Sequence, residues 1–207
     1  RQIMEEKNIL EKISDEKGII SVSDAEKNGI NRFRLSYLAR EDIIDRVSHG
    51  LYALKNEIID EYALIQNKSD KLIFSYHTAL YFHDLSDRVP SQIHITLPQG
   101  YNASRLKKRH DNLIVHYVKE EVLELGKEKG QSPLGSEILL YDVERCICDL
   151  IKDKNKIDPQ IFTAAIKRYF SEEKVNTRKI IKYAGKLKVE DKVRKYIEVL
   201  TWYQVNK

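Results

Sequence analysis

One short segment combines basic, aromatic and hydroxyl side chains that could bind nucleic acid. Residues 31–42, NRFRLSYLARED, predict a helix with Asn31 as its N-cap and with Leu35 and Leu38 on its buried face. At about 100° per residue, the opposite face and its N-terminal flank carry Arg32, Phe33, Arg34, Ser36, Tyr37 and Arg40. Arginine can bind a guanine edge or a phosphate, hydroxyl groups can bind phosphate oxygens, and Phe33 can contact a thymine methyl group. The segment therefore predicts a DNA-recognition helix, with Asn31 at its start.

The elements around this helix predict a winged helix-turn-helix over residues 1–56. Apolar residues at helical spacing indicate a first helix at about 3–16. Ser23 and Glu26 form a capping box for a short second helix, which ends at the Gly29 turn. After the third helix, the β-prone runs IIDRV and GLYAL, joined through Gly50, predict a hairpin.

Three residues of the predicted hairpin, the wing, could extend a DNA contact. Arg46, Ser48 and His49 are placed to follow the DNA backbone or to enter the minor groove. The alternative for the wing is an ordinary solvated hairpin. For the third helix, the alternative is that Phe33 folds back onto the domain and the arginines only solvate the helix surface.

The rest of the chain predicts a linker at 57–70 and a mixed α/β domain over 71–207 that ends in several helices. KLIFSYHTALYFHDL and EILLYDVERCICDLIK are read as helices, and QIHITLP and LIVHYV as strands. Further helices are expected at about 159–170, 177–187 and 190–204. The predicted fold class is α+β and mainly helical, because the strands are few and short.

A second basic cluster lies in the turn-rich segment between the two predicted strands. It comprises Arg105, Lys107, Lys108 and Arg109, followed by His110. The formal net charge of +4 arises entirely in residues 131–207, which hold 16 Lys and Arg against 11 Asp and Glu. The cluster could neutralise phosphates, and solvated loops and helix faces are the alternative explanation.

Other kinds of chemistry find little support in the sequence. Cys146 and Cys148 lack a second Cys or His pair at zinc-site spacing, and the histidines are scattered. Glu137, Asp142 and Glu144, with Lys152 downstream, only loosely imitate a nuclease site, since a helical Asp-x-Glu does not place both carboxylates on one face. No phosphate-binding loop or nucleophile motif is present. We therefore expect no catalytic residues, metal or cofactor.

The segment GIISVSDAEKNGINRFRLSYLAREDIIDRVSHGLYAL resembles the N-terminal winged-helix domain of AbiEi antitoxins. The matching features are Gly18, Gly29, the two leucines of the third helix, and a wing that reads Arg46-Val47-x-x-Gly50-x-Tyr52. YHTALYFHDLSDRVPSQIHITLP and VERCICDLI are similar to the C-terminal antitoxin domain of the same family.

The resemblance implies a repressor that binds inverted repeats in its own toxin–antitoxin promoter. It also implies that the chain antagonises a nucleotidyltransferase-like toxin of a type IV abortive-infection system, without a stable complex. We expect a cytoplasmic protein with no membrane partner, because no apolar window is long enough to span a membrane and the N-terminus does not resemble a signal peptide. We also expect a monomer in solution, with two copies on double-stranded DNA. The alternatives are a ligand-sensing winged-helix regulator and a DNA-processing enzyme.

Overall fold

The protein has an α+β fold, as the sequence predicts. The computed structural model describes residues 1–67, 69–171 and 175–205, so Lys68 of the predicted linker lies outside the described residues. Contacts divide the chain into two compact units. The N-terminal unit comprises Arg1–Glu61 and Asn102–Asp111, and the C-terminal unit comprises Tyr62–Tyr101 and Asn112–Lys207.

The helices and strands follow one another along the whole described chain. In order they are α1 (Gln2–Ile13), β1 (Ile19–Ser21), α2 (Val22–Lys27), α3 (Arg32–Arg40), β2 (Ile44–Ser48), β3 (Leu51–Leu54), α4 (Glu61–Gln66), β4 (Ile73–Phe74), α5 (Tyr76–Phe82), β5 (Ile93–Pro98), α6 (Ser104–Arg109), β6 (Leu113–Val118), α7 (Glu120–Leu123), β7 (Lys127–Gln131), β8 (Glu137–Tyr141), α8 (Val143–Lys152), a 3₁₀ helix (Lys154–Lys156), α9 (Pro159–Ser171), α10 (Thr177–Lys186) and α11 (Glu190–Val205).

The N-terminal unit packs three helices against a small antiparallel sheet of order β1-β3-β2. Its core consists of apolar side chains from every one of these elements: Leu10, Ile20, Ala25, Ile30, Leu35, Leu38, Ile44 and Tyr52. Helix α2 begins at Val22 rather than at the predicted Ser23 cap. Ser21 is the N-cap, since its hydroxyl accepts a hydrogen bond from the Asp24 N–H at 3.1 Å.

The C-terminal unit contains a five-stranded mixed sheet of order β6-β5-β4-β8-β7. The predicted strands β5 and β6 are confirmed and pair in parallel, and the three predicted C-terminal helices are confirmed as α9, α10 and α11. Two of the predicted helices begin later than the sequence suggests, because their first residues form strands. Ile73 and Phe74 form β4, which precedes α5. Residues 137–141 form β8, and α8 begins only after Asp142, which caps it by accepting a hydrogen bond from the Arg145 N–H at 2.9 Å.

A buried arginine joins α8 to the segment around α7. The Arg145 side chain is fully buried, and its Nε donates to both oxygens of the Asp149 carboxylate, also on α8, at 3.1 Å. Its Nη1 donates to the carbonyl oxygens of Val122 and Leu125 at 2.6 and 2.7 Å, while its buried Nη2 has no hydrogen-bond partner among the described residues. Asp149 compensates the charge of this cation inside the core, so that removal of either partner would leave an uncompensated buried charge.

Two imidazoles on neighbouring strands form a second partly buried polar pair. His94 Nδ1 lies 2.9 Å from His116 Nε2, and the Tyr76 ring stacks on His116 with a centroid separation of 3.9 Å. The Tyr76 hydroxyl donates to Asp153 at 2.5 Å, and Tyr76 has a φ of 49°, a backbone conformation that is strained for a bulky residue. Burial lowers the pKa of both imidazoles to about 4, so both are neutral near pH 7.

We predict that this pair makes the fold sensitive to mild acid. Between pH 6.5 and 4 the unfolded chain gains protons on His94 and His116 while the folded chain does not, so the free energy of unfolding should fall by roughly 2 kcal/mol or more. Urea denaturation at several pH values measures this loss. Replacement of both residues by Gln should flatten the profile in this range, whereas His49→Gln, at an exposed imidazole, should not. An unchanged profile in the double variant would contradict the assignment.

Candidate nucleic-acid interface

Two buried leucines determine which face of α3 is directed to solvent. Leu35 and Leu38 are fully buried, which confirms the predicted inward face. Asn31 is the N-cap, as predicted, because its side-chain oxygen accepts a hydrogen bond from the Arg34 N–H at 2.9 Å. The start and the rotation of α3 are therefore fixed by contacts within its own unit.

The outward face of α3 carries an exposed aromatic ring between basic residues. Phe33 is 74% exposed, which excludes the alternative in which it folds back onto the domain. The Arg32 guanidinium carbon lies 5.2 Å from the centroid of the Phe33 ring, and Arg40 is exposed at the other end of the helix. No ion pair joins Arg32 or Arg40 to another residue within the described ranges. This face combines apolar and cationic groups that are available to a partner.

Arg34 differs from the other two arginines of α3, because α1 holds its guanidinium. Arg34 Nε donates to Glu6 Oε1 at 2.8 Å and to Oε2 at 3.1 Å, while Nη2 donates to Oε2 at 2.8 Å. The side chains of Arg34 and Glu6 are only 28% and 12% exposed, and the hydrogen bonds to Glu6 raise the pKa of Arg34. The pair ties α1 to α3, and contact between Arg34 and DNA stays a prediction.

Two hydroxyl-bearing residues of α3 also contact their own unit. The Ser36 hydroxyl lies 3.2 Å from the Tyr52 hydroxyl on β3, although Ser36 itself is exposed. The Tyr37 ring is half-buried beneath Arg34, whose guanidinium carbon lies 4.7 Å from the ring centroid. The packing of both side chains thus links the outward face of α3 to α1 and to the sheet.

The hairpin of β2 and β3 directs two of its three predicted contact residues to solvent. Its turn contains Gly50 with a φ of 76°, which favours glycine, and a register shift follows Arg46. Arg46 and His49 are exposed. The Ser48 hydroxyl oxygen is buried and has no hydrogen-bond partner among the described residues. Ser48 is therefore oriented into the unit, and its contact with DNA stays a prediction.

The basic cluster expected in a loop is instead helix α6, which belongs to the N-terminal unit. Ala103 and His110, which flank this short helix, are both buried and so anchor the two ends of a segment that is turn-rich in sequence. Its exposed basic residues are Arg105, Lys107 and Lys108. Arg109 is partly buried, and burial together with nearby Arg105 lowers its pKa. The cluster is thus a formed cationic surface within the same compact unit as α3.

Two further kinds of reactive group are the cysteine thiols and the side chains that could hold a metal ion. Cys146 and Cys148 are buried, and burial raises the pKa of both thiols, that of Cys148 to about 12. Within the described residues, no group of three or more His, Cys, Asp or Glu side chains is arranged to hold a metal ion.

Two of the three carboxylates that loosely imitate a nuclease site lie close together, contrary to the prediction. Asp142 and Glu144 were predicted to lie on different faces, but both reach Lys179 Nζ, at 2.9 and 3.2 Å. The prediction was wrong because Asp142 caps α8 from outside the helix. Glu137 lies apart from them and pairs with Lys129 at 3.0 Å.

Comparison with known proteins confirms the family resemblance over the N-terminal segment. Residues 8–55 match a family described as "Transcriptional regulator, AbiEi antitoxin". This match covers α2, α3 and the hairpin, together with the second half of α1, so this segment is similar to the AbiEi antitoxin and regulator family. No curated protein matches the sequence.

A solved structure is similar in fold to most of this chain, beyond the segment 8–55. The RV2827C protein from Mycobacterium tuberculosis aligns with a TM-score of 0.58 at 11% identity, covering 89% of this chain and 70% of that one. At this identity the likeness concerns the fold alone. Among the described residues, no helix is long and apolar enough to cross a membrane.

Sequence reasoning did not identify Glu6, which holds Arg34. A signal for it was available, because Arg34 lies about 70° from the buried direction of α3, much closer than Phe33 does. On α1, Glu6 precedes the buried Leu10 by one helical turn and so shares its inward face. A basic residue beside the buried stripe of one helix and an acidic residue beside that of another indicate a partly buried ion pair.

We predict that Glu6 stabilises the N-terminal unit through Arg34. Glu6→Ala should lower the free energy of unfolding by about 1–3 kcal/mol, because it removes bidentate hydrogen bonds to a partly buried guanidinium. Urea denaturation of the full chain measures the effect. Glu5→Ala is the matched control, since Glu5 pairs only with exposed Arg1 at 3.3 Å among the described residues. Equal effects of the two substitutions would contradict the role of Glu6.

Proposed function

We propose that this protein is a DNA-binding transcriptional repressor that binds inverted repeats in its own toxin–antitoxin promoter. The observation that carries the proposal is the outward face of α3, where exposed Phe33 lies between Arg32 and Arg40 while Leu35 and Leu38 are buried. A large exposed aromatic ring beside cations that form no ion pair with a described residue is well suited to the edge of a DNA groove, where it can contact a thymine methyl group while the cations contact guanine or phosphate.

The order of elements in the N-terminal unit supports a winged helix-turn-helix. Three helices precede a hairpin whose strand β3 also pairs with β1, and α2 and α3 are joined by a short turn through Gly29. In this architecture α3 is the recognition helix, and its N-terminal residues meet base edges. We assign base contacts to Arg32 and Phe33.

The remaining contacts in the proposal position the protein on the DNA backbone. The helix contributes Asn31, Ser36, Tyr37 and Arg40, and the wing contributes Arg46 and His49. Because Glu6 holds Arg34, we assign Arg34 mainly to the orientation of α3. Contacts of this kind fix register and orientation without reading sequence.

Helix α6 is proposed as an additional phosphate-binding surface. Its Arg105, Lys107, Lys108 and Arg109 belong to the same compact unit as α3, although more than 60 residues separate them in sequence. Each phosphate that these residues neutralise would release counterions and increase the salt dependence of binding. This contribution does not depend on DNA sequence.

We further propose that the chain acts as an antitoxin. The match of residues 8–55 to a regulator and antitoxin family supports this role, and the resemblance of the later segments to the antitoxin domain extends it to the C-terminal unit. The proposed antagonist is a nucleotidyltransferase-like toxin that is neutralised without a stable complex. Two copies of the chain on an inverted repeat would follow from the symmetry of such a site.

We predict that α3 carries operator recognition. Arg32→Ala combined with Arg40→Ala should weaken binding to the upstream promoter by at least about thirtyfold, because each lost contact is worth ~1–3 kcal/mol. Gel-shift titration measures this affinity, and circular dichroism verifies folding. Lys7→Ala combined with Lys12→Ala removes the same charge from exposed positions of α1 and is the control. Near-normal operator affinity of the folded α3 variant would refute the proposal.

We predict a different effect for α6. Arg105→Ala with Lys108→Ala should weaken binding to operator and to random DNA by similar factors. The slope of log affinity against log salt should become shallower by about 1 to 2. Titrations at several salt concentrations test this expectation. An unchanged slope, or a loss of affinity for the operator alone, would remove α6 from the DNA-binding surface.

A further inference from the structure

A groove in the C-terminal unit is lined by lysines from two sides. The end of α8 and the following 3₁₀ helix form one side, and α11 forms the other. The groove is open to solvent, and its volume of about 530 Å³ is within the usual range for small-molecule sites. Five lysines line this lysine groove: Lys152, Lys154, Lys156, Lys192 and Lys195.

Four of the five groove lysines form no ion pair with a described residue, whereas several other lysines of this unit do. Lys71, Lys127, Lys129 and Lys179 each pair with a glutamate or aspartate. In the described parts of the chain, no ion pair involves Lys152, Lys154, Lys192 or Lys195, and Lys156 reaches only Asp153, at 3.9 Å.

Asp153 is the one acidic residue among those that line the groove. Its carboxylate accepts a hydrogen bond from the Tyr76 hydroxyl at 2.5 Å, and its single negative charge offsets only one of the five lysine charges. Several uncompensated cations around one concave site repel each other, and an anion bound among them would relieve that repulsion.

Part of the groove lining is apolar or aromatic rather than charged. Ile151 is buried and Tyr196 is half-buried, whereas Val199, one helical turn from Tyr196 on α11, is 57% exposed. Lys154 Nζ lies 5.8 Å from the centroid of the Tyr196 ring and 5.4 Å from that of Phe162, so this lysine contacts the aromatic part of the lining. Apolar lining with convergent charges is the arrangement of a ligand pocket.

We propose that the lysine groove binds a nucleoside polyphosphate. The lysines would bind the phosphate chain, and Tyr196 with Val199 would contact the planar base. A DNA duplex fits less well, because its convex backbone would contact the lysines and leave the apolar part of the groove lining uncovered. This inference does not rest on the proposed function, and it adds a small-molecule site to the chain.

Isothermal titration of the full chain with ATP and with GTP tests the proposal. We expect saturable binding of at least one of them, with one site per chain and with weaker binding of adenosine and of tripolyphosphate. Lys154→Ala combined with Lys192→Ala should weaken nucleotide binding by at least about tenfold, because two charge-assisted contacts are lost. Lys182→Ala with Lys186→Ala, at exposed positions of α10, is the matched control and should bind normally.

Four outcomes would overturn the proposal. They are absence of binding at millimolar nucleotide, equal losses in the groove and control variants, tripolyphosphate binding as tightly as either nucleotide, and a groove variant that loses affinity for duplex DNA alone. Circular dichroism of both variants verifies that the changes do not reflect unfolding.

Discussion

The burial of Leu35 and Leu38 is the constraint on which the N-terminal unit depends. These side chains belong to one core cluster with Leu10 of α1 and Ile44 of the small sheet, and a helix with two fully buried residues one turn apart cannot rotate without exposing them. That rotation places Phe33 and Arg32 in solvent and brings Arg34 against Glu6. The burial of the two leucines therefore gives the two arginines different roles. Arg34 holds α3 against α1, whereas Arg32 stays exposed to solvent.

Local periodicity explains what the sequence predicts well. The spacing of the leucines locates α3, alternation of apolar and polar residues locates β5, and Asp158 followed by Pro159 marks the start of α9. The presence of the hairpin and of the three late helices follows from equally local signals. These features form within a few residues of each other and need no information from distant parts of the chain.

Features that depend on distant partners could not be predicted in this way. The run EILLY is apolar enough for a helix, and only its pairing with β4 and β7 makes it a strand. Asp142 then ends that strand and caps α8, and for the same reason its carboxylate meets that of Glu144 at Lys179. The pair of Glu6 and Arg34 spans 28 residues, and the Ser48 hydroxyl is turned inward by a bulge that sequence alone does not locate.

Net charge is a weaker guide to binding surfaces than the pairing of individual charges. The excess of basic residues lies in 131–207, yet Arg168 and Lys179 in that range have acidic partners. Cations that form no ion pair with a described residue occur on α3 and in the lysine groove, where they lie beside apolar or aromatic side chains. Both surfaces therefore combine positive charge with apolar contact, which suits a base or a base edge attached to phosphate. The central claim is that α3 enters the groove of the promoter DNA. Since Cys146 and Cys148 are buried, a Glu41→Cys variant can be labelled selectively with a DNA-cleaving reagent at the exposed end of α3. On the upstream promoter, the account predicts cleavage confined to each half of the inverted repeat, whereas a labelled protein that shifts the promoter without cleaving it there would contradict it.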